Sequence, residues 1–154
     1  MIQIDIADEQ DALPIDRDLI AQAVQTALRQ QNIAEADVSV AIVDNPTIRQ
    51  LHRQYLAIDE PTDVMSFVLE RSDEGLEGEV VASAERAVEV ADQYGWTPAE
   101  ELLLYVVHGT LHLAGHDDAT AQQRAAMREQ ERACLAQLGL EARYDGTAAM
   151  RKPS

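Results

Sequence analysis

The chain of 154 residues has one cysteine, one phenylalanine, one tryptophan and, against 11 arginines, one lysine. A single cysteine cannot close an internal disulfide, so a buried core must hold the fold and a reducing cytoplasm is the expected setting. That cysteine, Cys134, falls in a helical pattern and reads as a small core residue rather than a nucleophile or ligand. The longest uninterrupted apolar run, residues 102–107, is far short of the roughly 20 residues that a membrane-spanning helix needs, so no membrane partner is expected. The opening residues carry neither the basic start nor the apolar stretch of a secretory signal. Basic residues are few, 12 against 28 acidic, for a net charge of −16. Such a surface has no general affinity for DNA or RNA, and any polyanion has to be met locally.

A hydrophobic fraction of 46% is enough for a real core, and the length predicts one domain over residues 1–154. Ile2, Ile4 and Ile6 alternate with polar residues as in a half-buried strand. Asp16 caps a helix that runs to about Gln31, and residues 38–43 form a strand closed by Asp44-Asn45-Pro46. Asn45 as cap and Pro46 in the first turn start a short helix through Leu51 and Tyr55. Residues 64–69 are a strand, 72–79, with four acids and two glycines, an exposed loop, and 80–82 a short strand. Ser83 caps a helix running to about Tyr94. Thr97-Pro98-Ala99-Glu100 is a capping box that opens a buried helix ending near Ala114. A last helix spans 120–138, with Arg124, Arg128 and Arg132 as a solvated stripe, and the residues from about 140 have no clear periodicity and fray. The order predicts a mixed α/β domain with a small sheet covered by helices.

Where the buried helix runs out stands His108-Gly109-Thr110-Leu111-His112-Leu113-Ala114-Gly115-His116-Asp117-Asp118. Histidines four apart project from one helix face and can share one ion. Gly115 can take the left-handed conformation that ends a helix, so a third ligand can swing back to that ion. Asp118, ten after the first histidine, stands where an elongated zinc motif carries its third histidine, and His116 and Asp117 are alternatives beside it. Two imidazoles and a carboxylate leave a fourth position for water, the pattern of a catalytic zinc. The competing reading, two core histidines satisfied by hydrogen bonds, is weaker for a pair followed by this cluster.

A zinc peptidase carries glutamate after the first histidine to activate the metal-bound water; here that residue is Gly109. Phosphodiester hydrolysis depends less on such a base, because the ion itself supplies hydroxide and offsets phosphoryl charge. The segment 108–117 resembles the signature of the YbeY family of bacterial endoribonucleases. Pro61-Thr62-Asp63-Val64-Met65-Ser66-Phe67 resembles its second motif, Leu51-His52-Arg53-Gln54-Tyr55 the lead-in to it, and Gly78-Glu79-Val80 a third short match. The likeness runs from about Val38 to about Glu131.

The resemblance implies an α+β fold, a small mixed sheet packed with helices and distantly zincin-like, and a cytoplasmic endoribonuclease, with one Zn²⁺ per chain, that cuts single-stranded rRNA. Its implied work is 16S rRNA 3′-end maturation and ribosome quality control, and its implied partners are the small ribosomal subunit and its proteins. The family's three histidine ligands map onto His108, His112 and position 118, the last being Asp118 here. An arginine commonly follows the tyrosine matching Tyr55 and contacts RNA phosphate; this chain has Leu56, and Arg53 or Arg49 can substitute from a turn or two away. Glu79 and Asp63 are candidate bases, while Thr62 and Ser66 shape the cleft wall. The rival functions are a zinc peptidase with its base supplied from elsewhere and a non-catalytic ribosome assembly factor.

Overall fold

A computed structural model describes residues 1–144. Four strands, β1 (Ile2–Asp8), β2 (Ala36–Val43), β3 (Val64–Ser72) and β4 (Gly75–Ser83), form one sheet in the order β1-β2-β4-β3. β2 runs parallel to both β1 and β4, and β3 is antiparallel to β4 at the edge. Helices α1 (Arg17–Gln30), α4 (Pro98–Leu113) and α5 (Ala121–Gln137) lie with one face; α2 (Asn45–Leu56) covers the other, and α3 (Ala84–Val90) leads through a short 3₁₀ turn, Ala91–Tyr94, towards α4. This is the expected mixed sheet packed with helices. No helix among the described residues is long and apolar enough to cross a membrane.

The strands sort their side chains by the two-residue period. Val38, Val40, Ile42, Val80 and Ala82 join the main core with α1 and α4, whereas Val43, Met65 and Val81 pack with Ile48 of α2. α4 is buried almost all round, Leu102 to Val107 included, because the sheet, α1 and α5 enclose it. Its onset is the expected capping box, Thr97 and Glu100 bonding each other's backbone N–H.

The acidic segment 72–79 is not a loop. β3 and β4 form a hairpin across a two-residue turn, Ser72 paired with Gly75, and the short strand expected at 80–82 is the end of nine-residue β4. The two-residue alternation is present, with Leu76 and Val80 inward and Glu77 outward, but Gly78 interrupts the apolar set. A Cβ on Gly78 would lie 2.7 Å from a methyl of Leu113, so α4 takes the space a side chain would fill. The turn pair Asp73-Glu74 also lacks the usual Asn-Gly or Asp-Gly hairpin signature.

Two smaller expectations shift. The cap of α2 is Asp44, which accepts from the Thr47 N–H at 2.9 Å; Asn45 instead accepts from the Ser83 hydroxyl and donates to Glu89, tying the starts of α2 and α3 together. The residues just past α5 pack rather than fray: Leu140 and Ala142 lie on the core and Tyr144 is buried, while 145–154 are outside the described residues. Tyr144 takes Arg128 and Arg132 over its ring at 4.4 and 5.0 Å, so the arginine stripe is only partly solvated.

Candidate metal centre

His108 and His112 lie on the flank of α4 that faces α5 and the turn after Gly115. The helix ends in a Schellman turn: Gly115 has φ +107°, its N–H reaches the His112 carbonyl at 3.0 Å, and His116 N–H reaches Leu111 at 3.0 Å. The chain doubles back and carries Asp118 under the two rings. Arg124, in the first turn of α5, fixes that return by donating to the carbonyls of Asp118 and Ala119 at 3.3 and 3.1 Å.

Three donor atoms then converge. The Nε2 atoms of His108 and His112 face each other at 3.0 Å, and Asp118 Oδ2 is 3.3 Å from the first and 3.5 Å from the second. Ligands about 2.0–2.1 Å from a tetrahedral ion stand about 3.3–3.4 Å apart. The observed triangle has that size, so His108, His112 and Asp118 fit a single metal ion. Side-chain exposure falls from 21% at His112 to 4% at Glu131 behind His108, so the open side lies toward His112.

Glu131 is the residue sequence reasoning missed. It projects from the buried side of α5, and its Oε2 accepts from His108 Nδ1 at 2.5 Å while its Oε1 accepts from the Tyr144 hydroxyl at 2.7 Å. An ionised carboxylate can only accept, so Nδ1 carries the proton and Nε2 is left with a lone pair for an ion. Its signal in the sequence was an acid in step with Met127, Cys134 and Leu135, the buried positions of an otherwise polar helix. Without an ion, burial pushes the His108 pKa down, but the hydrogen bonds it donates to Asp118 and Glu131 outweigh this and hold it up at about 10.

The other candidates lie apart from the triangle. His116 turns to Gln31 at the end of α1, Nε2 to Oε1 at 2.7 Å, and Asp117 is exposed. Asp63 caps the start of β3, accepting from the Val64 N–H at 2.8 Å, and is near enough for its charge to raise the His108 pKa. Glu79 pairs with Phe67, on the α2 face of the sheet. Ser66 donates to the Gly109 carbonyl at 2.8 Å and pins α4 to β3; the Thr62 hydroxyl is 3.5 Å from Asp63. Arg49 pairs with Asp59 at 2.9 Å and Arg53 lies beside it, both on α2 over the far face. Cys134 is buried and its pKa is pushed up to about 12 by burial, so it holds no reactive thiolate.

Gly109 has a steric reason. A Cβ there would lie 2.7 Å from a Val80 methyl and 3.0 Å from one of Val64, so the residue after the first histidine faces the sheet with no room for a side chain. The glutamate of a zinc peptidase cannot be housed at that position.

Fold and donor set together define a small α+β protein with a site of three protein donors for one metal ion. The chain belongs to the YbeY family: the family model described as Endoribonuclease YbeY matches residues 4–139. A protein of that name from Rhodopirellula baltica is 46% identical over 124 residues, which cover 79% of this chain and 64% of that one. Another from Carboxydothermus hydrogenoformans is 43% identical over 142 residues, covering 89% of this chain and 98% of that one. The solution structure of TM1509 from Thermotoga maritima has the same fold, with a TM-score of 0.60 at 24% identity over 98% of this chain and 100% of that one.

Proposed function

We propose that the chain works as a single-domain, zinc-dependent endoribonuclease of the cytoplasm that cuts single-stranded RNA. The observation that carries this is the triangle of His108 Nε2, His112 Nε2 and Asp118 Oδ2 in a chain of this family. When bound, zinc supplies an acidified water and positive charge against the phosphoryl oxygens. His108 and His112 hold one Zn²⁺ per chain through neutral imidazoles, Glu131 keeps the His108 tautomer, and Asp118 adds the one negative charge among the ligands. Asp63, at the start of the edge strand and within electrostatic reach of His108, is the better placed of the two candidate bases. Arg53 and Arg49 stand over the other sheet face, so they serve segments of RNA away from the bond that breaks.

The peptidase reading is disfavoured by Gly109, whose surroundings leave no room for the base that chemistry relies on. The substrate in the cell is proposed to be the 3′ end of 16S rRNA, with the small ribosomal subunit and its proteins as partners and ribosome quality control as the wider role. The test measures zinc per chain and cleavage of an unstructured RNA, a duplex RNA and casein by the same preparation. Wild type holds one zinc and cuts only the unstructured RNA, and His112→Ala loses both. Cleavage that survives the loss of metal would overturn the proposal.

A further inference from the structure

A chain of net charge −16 has to meet a polyanion with a few well-placed cations. Several arginines near the cleft are already committed: Arg124 to the carbonyls of Asp118 and Ala119, Arg128 and Arg132 to the Tyr144 ring. Arg71 differs. It is exposed, it has no hydrogen bond or ion pair among the described residues, and its guanidinium is seated on the turn that carries Asp118. A Cβ added to Gly115 would lie 2.9 Å from Arg71 Nη1, so the glycine makes room for the cation as well as for the turn.

A β-bulge puts it there. Val64, Ser66 and Val68 pair with Ala82, Val80 and Gly78 on the α4 face of the sheet, and in a regular strand the next residue on that face would be Glu70. The register slips instead: Glu70 pairs with Glu77 and Arg71 with Leu76, a core residue of the α4 face, leaving Leu69 unpaired. One extra residue thus exchanges an acid for a cation beside the metal turn. Bulges on edge strands commonly re-aim a side chain in this way next to active sites.

We propose that Arg71 and the Gly115 turn form a phosphate subsite that holds the backbone of single-stranded RNA beside the bond being cut, an inference that rests on the endoribonuclease reading above. The planar guanidinium presents paired N–H donors that match phosphate oxygens. The subsite explains how an acidic chain grips RNA with little positive surface.

The test uses zinc-loaded full-length protein and a fluorescein-labelled oligouridylate, with binding followed by anisotropy over a salt series and cleavage by initial rates. Arg71→Ala should lower the slope of log affinity against log salt by about 0.7, one phosphate contact on a single strand. Its KM should rise several-fold with kcat within about twofold, while Arg71→Lys, which keeps a point charge, retains the salt slope. Arg17→Ala, at the start of α1 with its guanidinium on the Ile6 carbonyl of β1, the edge strand opposite β3, controls for net charge. An unchanged slope and KM in Arg71→Ala, or an equal change in Arg17→Ala, overturns the subsite while leaving the endoribonuclease reading intact. A wild type that neither binds nor cuts the RNA overturns both.

Discussion

His108 donates its Nδ1–H to Glu131, a carboxylate on another helix that is itself held by the Tyr144 hydroxyl. The ring is thereby fixed in orientation before any ion arrives, and Nε2, not Nδ1, is the nitrogen that gives up its proton to an ion. Outer partners of this kind are typically worth about 10–100-fold in metal affinity. Glu131→Gln, which keeps the shape but loses the charge, should weaken zinc binding within that range in competition with a chromophoric chelator. Tyr144→Phe should act in the same direction but less, since it removes only the second of the two bonds. Unchanged zinc affinity in Glu131→Gln would refute the positioning role.

Gly109→Ala tests the contact between α4 and the sheet by its sign. In an open helix, replacing glycine by alanine stabilises by about 1 kcal/mol. Here the added methyl meets Val80 and Val64, branched side chains in the core, at 2.7 and 3.0 Å. Overpacking of this kind typically costs about 1–3 kcal/mol, so the variant should be less stable in urea denaturation. It should also lose zinc affinity, because α4 must shift and His108 rides on it. A variant more stable than wild type would show that the helix is not held that closely.

The elements whose signals are local could be read before the fold was seen: the capping box of α4, the alternation in β1, the histidine pair and the turn at Gly115. Two things could not. Gly78 is glycine because of Leu113, a residue 35 positions away, so the strand around it looked like an acidic loop. Glu131 matters only because α5 crosses α4 at His108, and no spacing along the chain encodes that crossing. The Glu70–Arg71 exchange is of the same kind, since the bulge is defined by pairing with β4. Ligands on one helix and its turn were legible; their support from other elements was not.

Proton and metal compete for His108, and the direction with pH follows. Its folded pKa, about 10, lies above the ordinary 6.5 because the carboxylates outweigh burial. A group that binds its proton more tightly when folded stabilises the fold below the unfolded pKa and loses that contribution as pH rises through the folded one. The metal-free protein should therefore melt at progressively lower temperature between pH 6.5 and about 10. Zinc needs the deprotonated ring atom, so its apparent affinity rises over the same interval. The gap in Tm between zinc-loaded and chelator-treated protein should widen with pH; a constant or narrowing gap would contradict the assignment.

The third ligand can be decided by comparing Asp118 with its neighbour His116. Asp118 is the carboxylate within 3.3 and 3.5 Å of the two imidazoles, whereas His116 is turned to Gln31 at 2.7 Å by the chain reversal at Gly115. Asp118→Ala should purify with substoichiometric zinc and lose more affinity than the about 10–100-fold of an outer partner. Asp118→His places a longer neutral donor at the same turn and should recover zinc binding, since imidazole and carboxylate are both accepted at tetrahedral sites. His116→Ala should keep a full equivalent of zinc and lose only its tie to α1. Elemental analysis of the three variants reads out the contrast. Loss of zinc in His116→Ala together with retention in Asp118→Ala would transfer the role to the histidine.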